Sequence, residues 1–227
     1  MIGTAALGIW IDVEAHAQDD FNAWYREQHI SERLSVPGFR RGRRYEATGD
    51  SPAYFTLYET ADAAVLSSAP YLARLNAPTE WTRRVLPAMT MMIRNAYRLV
   101  IASPDPAPPA TRLVTVRVQP HSGRGPYIRA WLASEAVGAL GAMAGVAGVA
   151  VYESDTSGTS VLTEERKLVG ADVKAAPPFL ALCELQPAAD ARALSAFFQS
   201  WATKIAADVI TDEYRLLYGR TAGGEQA

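Results

Sequence analysis

Apolar and polar residues alternate from residue 7 to 13, with Leu7, Ile9, Ile11 and Val13 on one side and Gly8, Trp10 and Asp12 on the other. That period of two predicts a strand with one fully apolar face. From residue 19 to 34 the spacing becomes helical. Phe21, Trp24, Tyr25, Gln28 and His29 fall on one side, Asp19 or Asp20 is placed to cap the start, and Pro37-Gly38 stops the helix. Residues 39–47 and 53–60 read as two strands joined through the turn formers Thr48-Gly49-Asp50-Ser51-Pro52, and so as a hairpin. A second helix begins near Ala61, a short helical insert carries Glu80 to Arg84, and residues 89–101 resume as a long strand.

The pattern then breaks and starts again. Four prolines in the eight residues from Ser103 to Ala110 fit neither a helix nor a central strand. Beyond them the same order returns: a strand over 112–118, a helix over 127–143, strands over 146–154 and 178–185, a helix over 190–206 and a strand over 208–218. Sequence anchors repeat with it. Gly38-Phe39, Tyr45-Glu46, Leu57-Tyr58-Glu59 and Tyr97-Arg98-Leu99 are followed in order by Gly145-Val146, Tyr152-Glu153, Leu182-Cys183-Glu184 and Tyr214-Arg215-Leu216. The interval from glycine to tyrosine is seven residues both times. These features predict a tandem duplication: a first repeat over 1–102, a linker over 103–110, a second, degenerate repeat over 111–220 and a flexible tail over 221–227.

Each repeat reads βαββαβ, the ferredoxin-like order, in which four antiparallel strands carry both helices on one face. The bare faces need cover. Two such units in one chain can cover each other, which predicts an α+β barrel enclosing a pocket. The repeats differ in length at two points. Glu46 to Glu59 spans 13 residues against 31 from Glu153 to Glu184, and Glu59 to Tyr97 spans 38 against 30 from Glu184 to Tyr214.

A net charge of −2, with 49% hydrophobic and 20% charged residues, is that of an ordinary globular protein and argues against nucleic acid or anionic lipid as a partner. The run Arg40-Arg41-Gly42-Arg43-Arg44 is a local exception, read as a polar strand. A single cysteine, Cys183, excludes an internal disulfide, and three histidines leave no zinc cluster. With no stretch near the ~18 apolar residues of a membrane span and no signal-like start, the expected location is cytoplasmic, without membrane partners.

Trp24-Tyr25-Arg26-Glu27-Gln28-His29-Ile30, followed by Val36-Pro37-Gly38-Phe39 and Arg43-Arg44-Tyr45, resembles the dimeric α+β barrel superfamily, in particular its EthD-like branch. The likeness covers most of residues 1–101 by motif and residues 111–220 by strand order and anchors alone. It implies the ferredoxin-like fold and a pocket. It does not imply one reaction, since the superfamily includes cofactor-free isomerases, cyclases and monooxygenases together with haem-binding relatives. It also implies that His29 lies near the pocket as a candidate acid or base, whereas residues 132–143 contain no histidine.

Strand alternation supplies the remaining candidates. If Ile9, Ile11, Phe55 and Leu57 face the helices, then Trp10, Asp12, Tyr54, Thr56 and Tyr58 point into the barrel, joined in the second half by Leu113, Thr115, Arg117, Phe179, Ala181 and Cys183. On the second strand Arg43 and Tyr45 are inward by analogy with Ala150 and Tyr152, and the opposite register puts Arg44 inside. His29 is the natural proton-transfer residue, oriented by Asp12, or else a buried histidine bonded to backbone. Trp10, Arg43, Tyr45, Tyr54, Tyr58 and Phe179 form the expected substrate-binding set. Arg83 and Arg84 beside Trp81 are a carboxylate clamp or a solvated helix face, Cys183 is a small buried hydrophobe, and His16 and His121 are loop residues.

These readings predict a cofactor-independent enzyme, of isomerase, lyase or cyclase type, acting by proton transfer on a small apolar, aromatic or cyclic substrate, as a monomer or homodimer. The alternative is a noncatalytic small-molecule binder or stabilising protein, or a haem-binding or monooxygenase relative.

Overall fold

A computed structural model describes residues 3–50, 52–103, 110–155, 161–205 and 207–223. Residues 104–109 of the expected linker and 224–227 of the expected tail lie outside them. Nine strands are present among the described residues: β1 (Ala5–Val13), β2 (Phe39–Ala47), β3 (Tyr54–Thr60), β4 (Met89–Ala102), β5 (Arg112–Pro120), β6 (Val146–Ser154), β7 (Val173–Ala175), β8 (Phe179–Leu185) and β9 (Ala207–Thr221). Eight of them close into an antiparallel barrel in the order β1-β3-β2-β9-β5-β8-β6-β4, with β4 returning to β1, and short β7 adds in parallel along β4. This is the expected α+β barrel of two ferredoxin-like units.

The two long strands join the halves. β4 pairs with β1 from Met89 to Arg98 and with β6 from Tyr97 to Ala102. β9 likewise pairs with β5 through Arg215 and with β2 from Tyr214 to Thr221. The register shifts between Leu99 and Ile101 and between Arg44 and Tyr45, within these two cross-half pairings, as β-bulges do where a sheet must bend.

Helices cover the outside. In the first half α1 (Gln18–Trp24), a π-helical turn over Tyr25–His29 and α2 (Ile30–Leu34) run continuously, followed by α3 (Ala69–Leu75) and α4 (Glu80–Val85). The second half repeats the interrupted helix as α5 (Gly125–Trp131), a π turn over Leu132–Ala136 and α6 (Val137–Gly141), and adds α7 (Glu164–Leu168) and α8 (Ala191–Ile205). Gly38 and Gly145 turn each interrupted helix into the next strand at φ of 97° and 82°, a region that side chains avoid. None of the described helices is long and apolar enough to cross a membrane.

The inner face is a core. Trp10, Tyr45, Phe55, Leu57 and Tyr97 from the first half meet Leu113, Tyr152, Leu180, Leu182 and Tyr214 from the second, none more than 1% exposed. Buried ion pairs accompany them: Arg43 donates across the halves to Glu184 at 2.6 Å, and within the second half Arg117 donates to Asp212 at 2.7 Å. An eight-stranded barrel is filled by its own side chains or holds one small ligand, and here aromatic residues fill it. The expectation of a pocket inside the barrel is therefore corrected.

The phase expected for β3 and β8 is corrected too. Residues opposite one another in an antiparallel pair share a face. Leu7, Ile9 and Ile11 pair with Tyr58, Thr56 and Tyr54, so all six face the helices, while Trp10 and Gly8 pair with the inward Phe55 and Leu57. Phe179, Ala181 and Cys183 lie under the second-half helices for the same reason, opposite Val118, Val116 and Val114.

Candidate functional site

A cavity of about 80 Å³ lies between sheet and helices in the first half. Its floor is Leu7 and Ile9 of β1, Tyr58 of β3 and Met92 and Arg94 of β4. One wall is Trp24, Tyr25, His29 and Arg33 along the interrupted helix, and the other is Tyr71 and Leu75 of α3. The cover comes from the second half: Thr163, Glu165 and Arg166 of the α7 segment lie over the opening. This segment occupies the long connection between β6 and β8, and the buried ion pair of Arg33 with Glu165 ties it to the first half.

His29 ends the π turn. A π turn inserts one residue into the helical repeat and so re-aims the side chains around it. The imidazole is buried, lies 4.0 Å between ring centroids from Trp24 at a 31° tilt, and meets Tyr25 edge-on at 4.8 Å. Its Nδ1 is buried with no hydrogen-bond partner among the described residues, so the anchoring to backbone that a structural histidine would make is missing at that atom. Burial, and then the charges of Arg33 and Arg44, hold its pKa well below the ordinary 6.5. The ring is neutral near pH 7 and keeps a free acceptor nitrogen.

Tyr58 faces it across 6.4 Å, and its hydroxyl is also buried without a partner among the described residues. Gly42, directly opposite Tyr58 in the sheet, makes room for that ring, since a Cβ there would stand 3.1 Å from two ring carbons. Burial, and then neighbouring Tyr25, push the Tyr58 phenol well above its ordinary value, so it stays a hydrogen-bond donor.

Behind Tyr25 lies Arg44, fully buried with no carboxylate against it among the described residues. Its guanidinium stands 3.8 Å from the Tyr25 ring centre, 4.3 Å from Tyr54 and 4.6 Å from Phe21, and it donates to Asn22 at 2.9 Å. Three ring faces and one amide stand in for a counter-ion. Arg44 belongs to a row across the helix-facing sheet formed by register: Arg94 opposite Ile9, Ile9 opposite Thr56, Thr56 opposite Arg44.

The structure divides the sequence-predicted residues between two places. His29 and Tyr58 line the cavity. Tyr54 packs beside it, against Phe21 and Arg44. Trp10, Arg43 and Tyr45 are in the barrel core, and Phe179 is in the helix-side core of the second half. Asp12 sits on the face of β1 opposite Leu7 and Ile9, accepting the Ala53 N–H at 2.6 Å, and so is not brought to His29. Asp20 accepts from Trp81 and Arg84, both at 2.9 Å, which accounts for Arg84 without a ligand. Burial pushes the Cys183 thiol up to about 12. His16 and His121 are exposed beside Glu14 and Asp208, and no group that would hold a metal occurs among the described residues.

Sequence reasoning missed Arg33, Arg94, Glu165 and Arg166. A signal was present in the 18 extra residues of the second hairpin connection, 31 against 13. In the second half the corresponding positions are apolar: Leu132 and Ala136 of its π turn and Cys183 of β8 are fully buried in an apolar cluster.

No family model matches the chain, and no curated protein matches it in sequence. Solved structures do. An anthrone oxidase-like protein superposes with a TM-score of 0.60 at 12% identity, covering 96% of this chain and 93% of that one. A monooxygenase-class protein from Fusobacterium nucleatum subsp. nucleatum gives 0.57 at 11%, covering 100% and 99%. A haem-binding protein from Thermus thermophilus gives 0.52 at 10%, covering 96% and 92%. The shared property is the fold. The described residues form a closed ferredoxin-like α+β barrel, and such barrels suit small-molecule binding or catalysis.

Proposed function

We propose that the chain is a cofactor-independent enzyme that removes a proton from a small apolar, aromatic or cyclic substrate, with His29 as the base. The unpartnered, neutral imidazole on the wall of an aromatic cavity carries this reading. A base that spends no hydrogen bond on the protein is free to accept one from the substrate, and exclusion of water sharpens that exchange. Tyr58, with an idle hydroxyl across the cavity, donates to the oxygen on which negative charge develops. Burial, and then the charges of Arg33 and Arg44, keep the imidazole unprotonated, and the same positive potential favours an enolate-like state.

Isomerisation and elimination both begin with this step. So does oxygenation of an acidic ring carbon, which the names of the anthrone oxidase-like and monooxygenase neighbours favour. Haem does not fit the same site. A volume of about 80 Å³ falls far below the roughly 300–1,000 Å³ of cofactor pockets, and the Arg33–Glu165 pair holds the walls together. We further assign the chain to a tandem duplication related to the EthD-like branch, whose second unit has kept the scaffold and filled the site.

Proton abstraction is testable before the substrate is known. Small cyclic ketones and lactones are incubated with the protein in heavy water, and C–H exchange is followed by NMR. The wild type should exchange at least one of them about 10²-fold or more faster than H29A, with Y58F intermediate. Equal rates for wild type and H29A on every compound, with binding retained, would move the chain to the noncatalytic binders.

A further inference from the structure

Buried and half-buried arginines in this chain are mostly matched: Arg33 with Glu165, Arg43 with Glu184, Arg112 with Glu213 and Arg117 with Asp212. Arg94 and Arg166 differ. Both are half-buried, and neither guanidinium has an ion pair or hydrogen-bond partner among the described residues. Both line the cavity that holds His29, and both also line a second, larger depression of about 370 Å³ that runs along Val173 and Lys174 of β7. The two arginines mark the junction of the two spaces.

Separate elements deliver them there. Arg94 is fixed by its register opposite Ile9 on the cavity floor. Arg166 rides on α7, whose preceding residue Glu165 is tied to Arg33. Among the described residues the Glu165 carboxylate is the one acidic group on the cavity wall, and Arg33 occupies it. The junction therefore carries two uncompensated guanidinium groups, with Lys174 beyond them, around a surface partly withdrawn from water. Charges in that position are satisfied best by an anion presenting planar oxygens, for which guanidinium forks are suited.

We propose that Arg94 and Arg166 are the anion-binding end of the site and that its ligand is a small aromatic or alicyclic carboxylate. Its apolar end points into the cavity toward His29 and Tyr58, and its carboxylate stays at the junction. Volume supports a ligand that straddles both spaces. About 80 Å³ is short of the roughly 150 Å³ that takes up a benzene ring, so the cavity houses a ring only as the flexible Met89 and Met92 yield, and the remainder needs the larger depression. The inference deepens the small-molecule reading above and depends on it.

The test compares matched pairs that differ only in charge, cinnamate against cinnamyl alcohol and phenylpropionate against phenylpropanol, by calorimetric titration of the wild-type protein, R94Q and R166Q. The carboxylate should bind wild type about 10- to 100-fold more tightly than its alcohol, the span of one or two charge-assisted hydrogen bonds. Each variant should lose much of that preference while its affinity for the alcohol is unchanged. Added salt should weaken the carboxylate alone, a check that needs no variant. Acetate should not compete, because it lacks the apolar end. Alcohols that bind as well as acids, or a preference that persists in both variants, would overturn the anion site and leave the cavity reading standing. Binding of neither member of any pair would overturn both.

Discussion

A neutral histidine without a partner couples this site to the stability of the whole chain, and the sign of that coupling is fixed. In the unfolded chain the imidazole takes up a proton as pH falls through about 6.5. In the folded protein, burial and then Arg33 and Arg44 hold the pKa well below that value, so the unfolded state binds more protons in this window. Stability therefore falls as pH drops below about 6.5, by up to about 1.4 kcal/mol per pH unit from this group, and is unaffected by it above. H29L removes the contribution. Urea midpoints at pH 7 and pH 5.5 should thus differ more for wild type than for H29L, and equal differences would mean that the imidazole is already charged or hydrated in the fold. His29 itself was legible in the sequence, from its helical side and the family-like motif around it. Its state was not, because that depends on burial under the helices and then on Arg33 and Arg44, whose positions follow from a cross-half ion pair and from strand register. Asp12 shows the limit from the other side. A carboxylate near a strand end looked suited to orient the imidazole, but alternation placed it across the sheet and the Ala53 N–H beside β3 claimed it.

Among the elements, α7 had no announced role in the sequence and has a large one in the structure. It covers the cavity, and its Glu165 is the sole acidic partner of Arg33 among the described residues, both side chains being 10% exposed or less. Removing one member of such a pair leaves the other charge buried, at a cost of about 3–5 kcal/mol, whereas replacing both by apolar side chains costs less. E165L should accordingly lower unfolding stability by about that amount, and R33M/E165L should recover a substantial part of it in a double-mutant cycle. A cost within about 0.5 kcal/mol for E165L would show a solvated pair and an untethered cover. The order of the main strands and the helices over 19–34 and 127–143 were readable from periodicity, but the π turns within those helices and the full length of β9 were not. The phase of β3 was not, because Tyr54, Phe55, Thr56, Leu57 and Tyr58 suit either face when both are buried. Only pairing with β1, whose alternation is unambiguous, decides it.

At the scale of the molecule, two units of like order share one core, and that sharing opposes independent unfolding of either. The barrel interior is drawn equally from both, and among the described residues the β2–β9 and β4–β6 pairings are the backbone ladders that close each sheet edge across the halves. Opening one half would expose the aromatic interior of the other and free two long edges at once. The chain should therefore melt as one cooperative unit. Gly145 offers a probe far from the first-half cavity. An alanine there must adopt a φ of 82° and would bring its Cβ to 2.7 Å from that of Ala189, a strain of about 1–3 kcal/mol placed wholly in the second half. In a calorimetric scan, G145A should show a single endotherm shifted to lower temperature, with fluorescence from a sole retained Trp24 moving in step. Two endotherms, with the Trp24 signal staying at the wild-type temperature, would mean that the halves stand alone, and that the cover α7 lends to the first-half cavity is an association between domains rather than part of one fold.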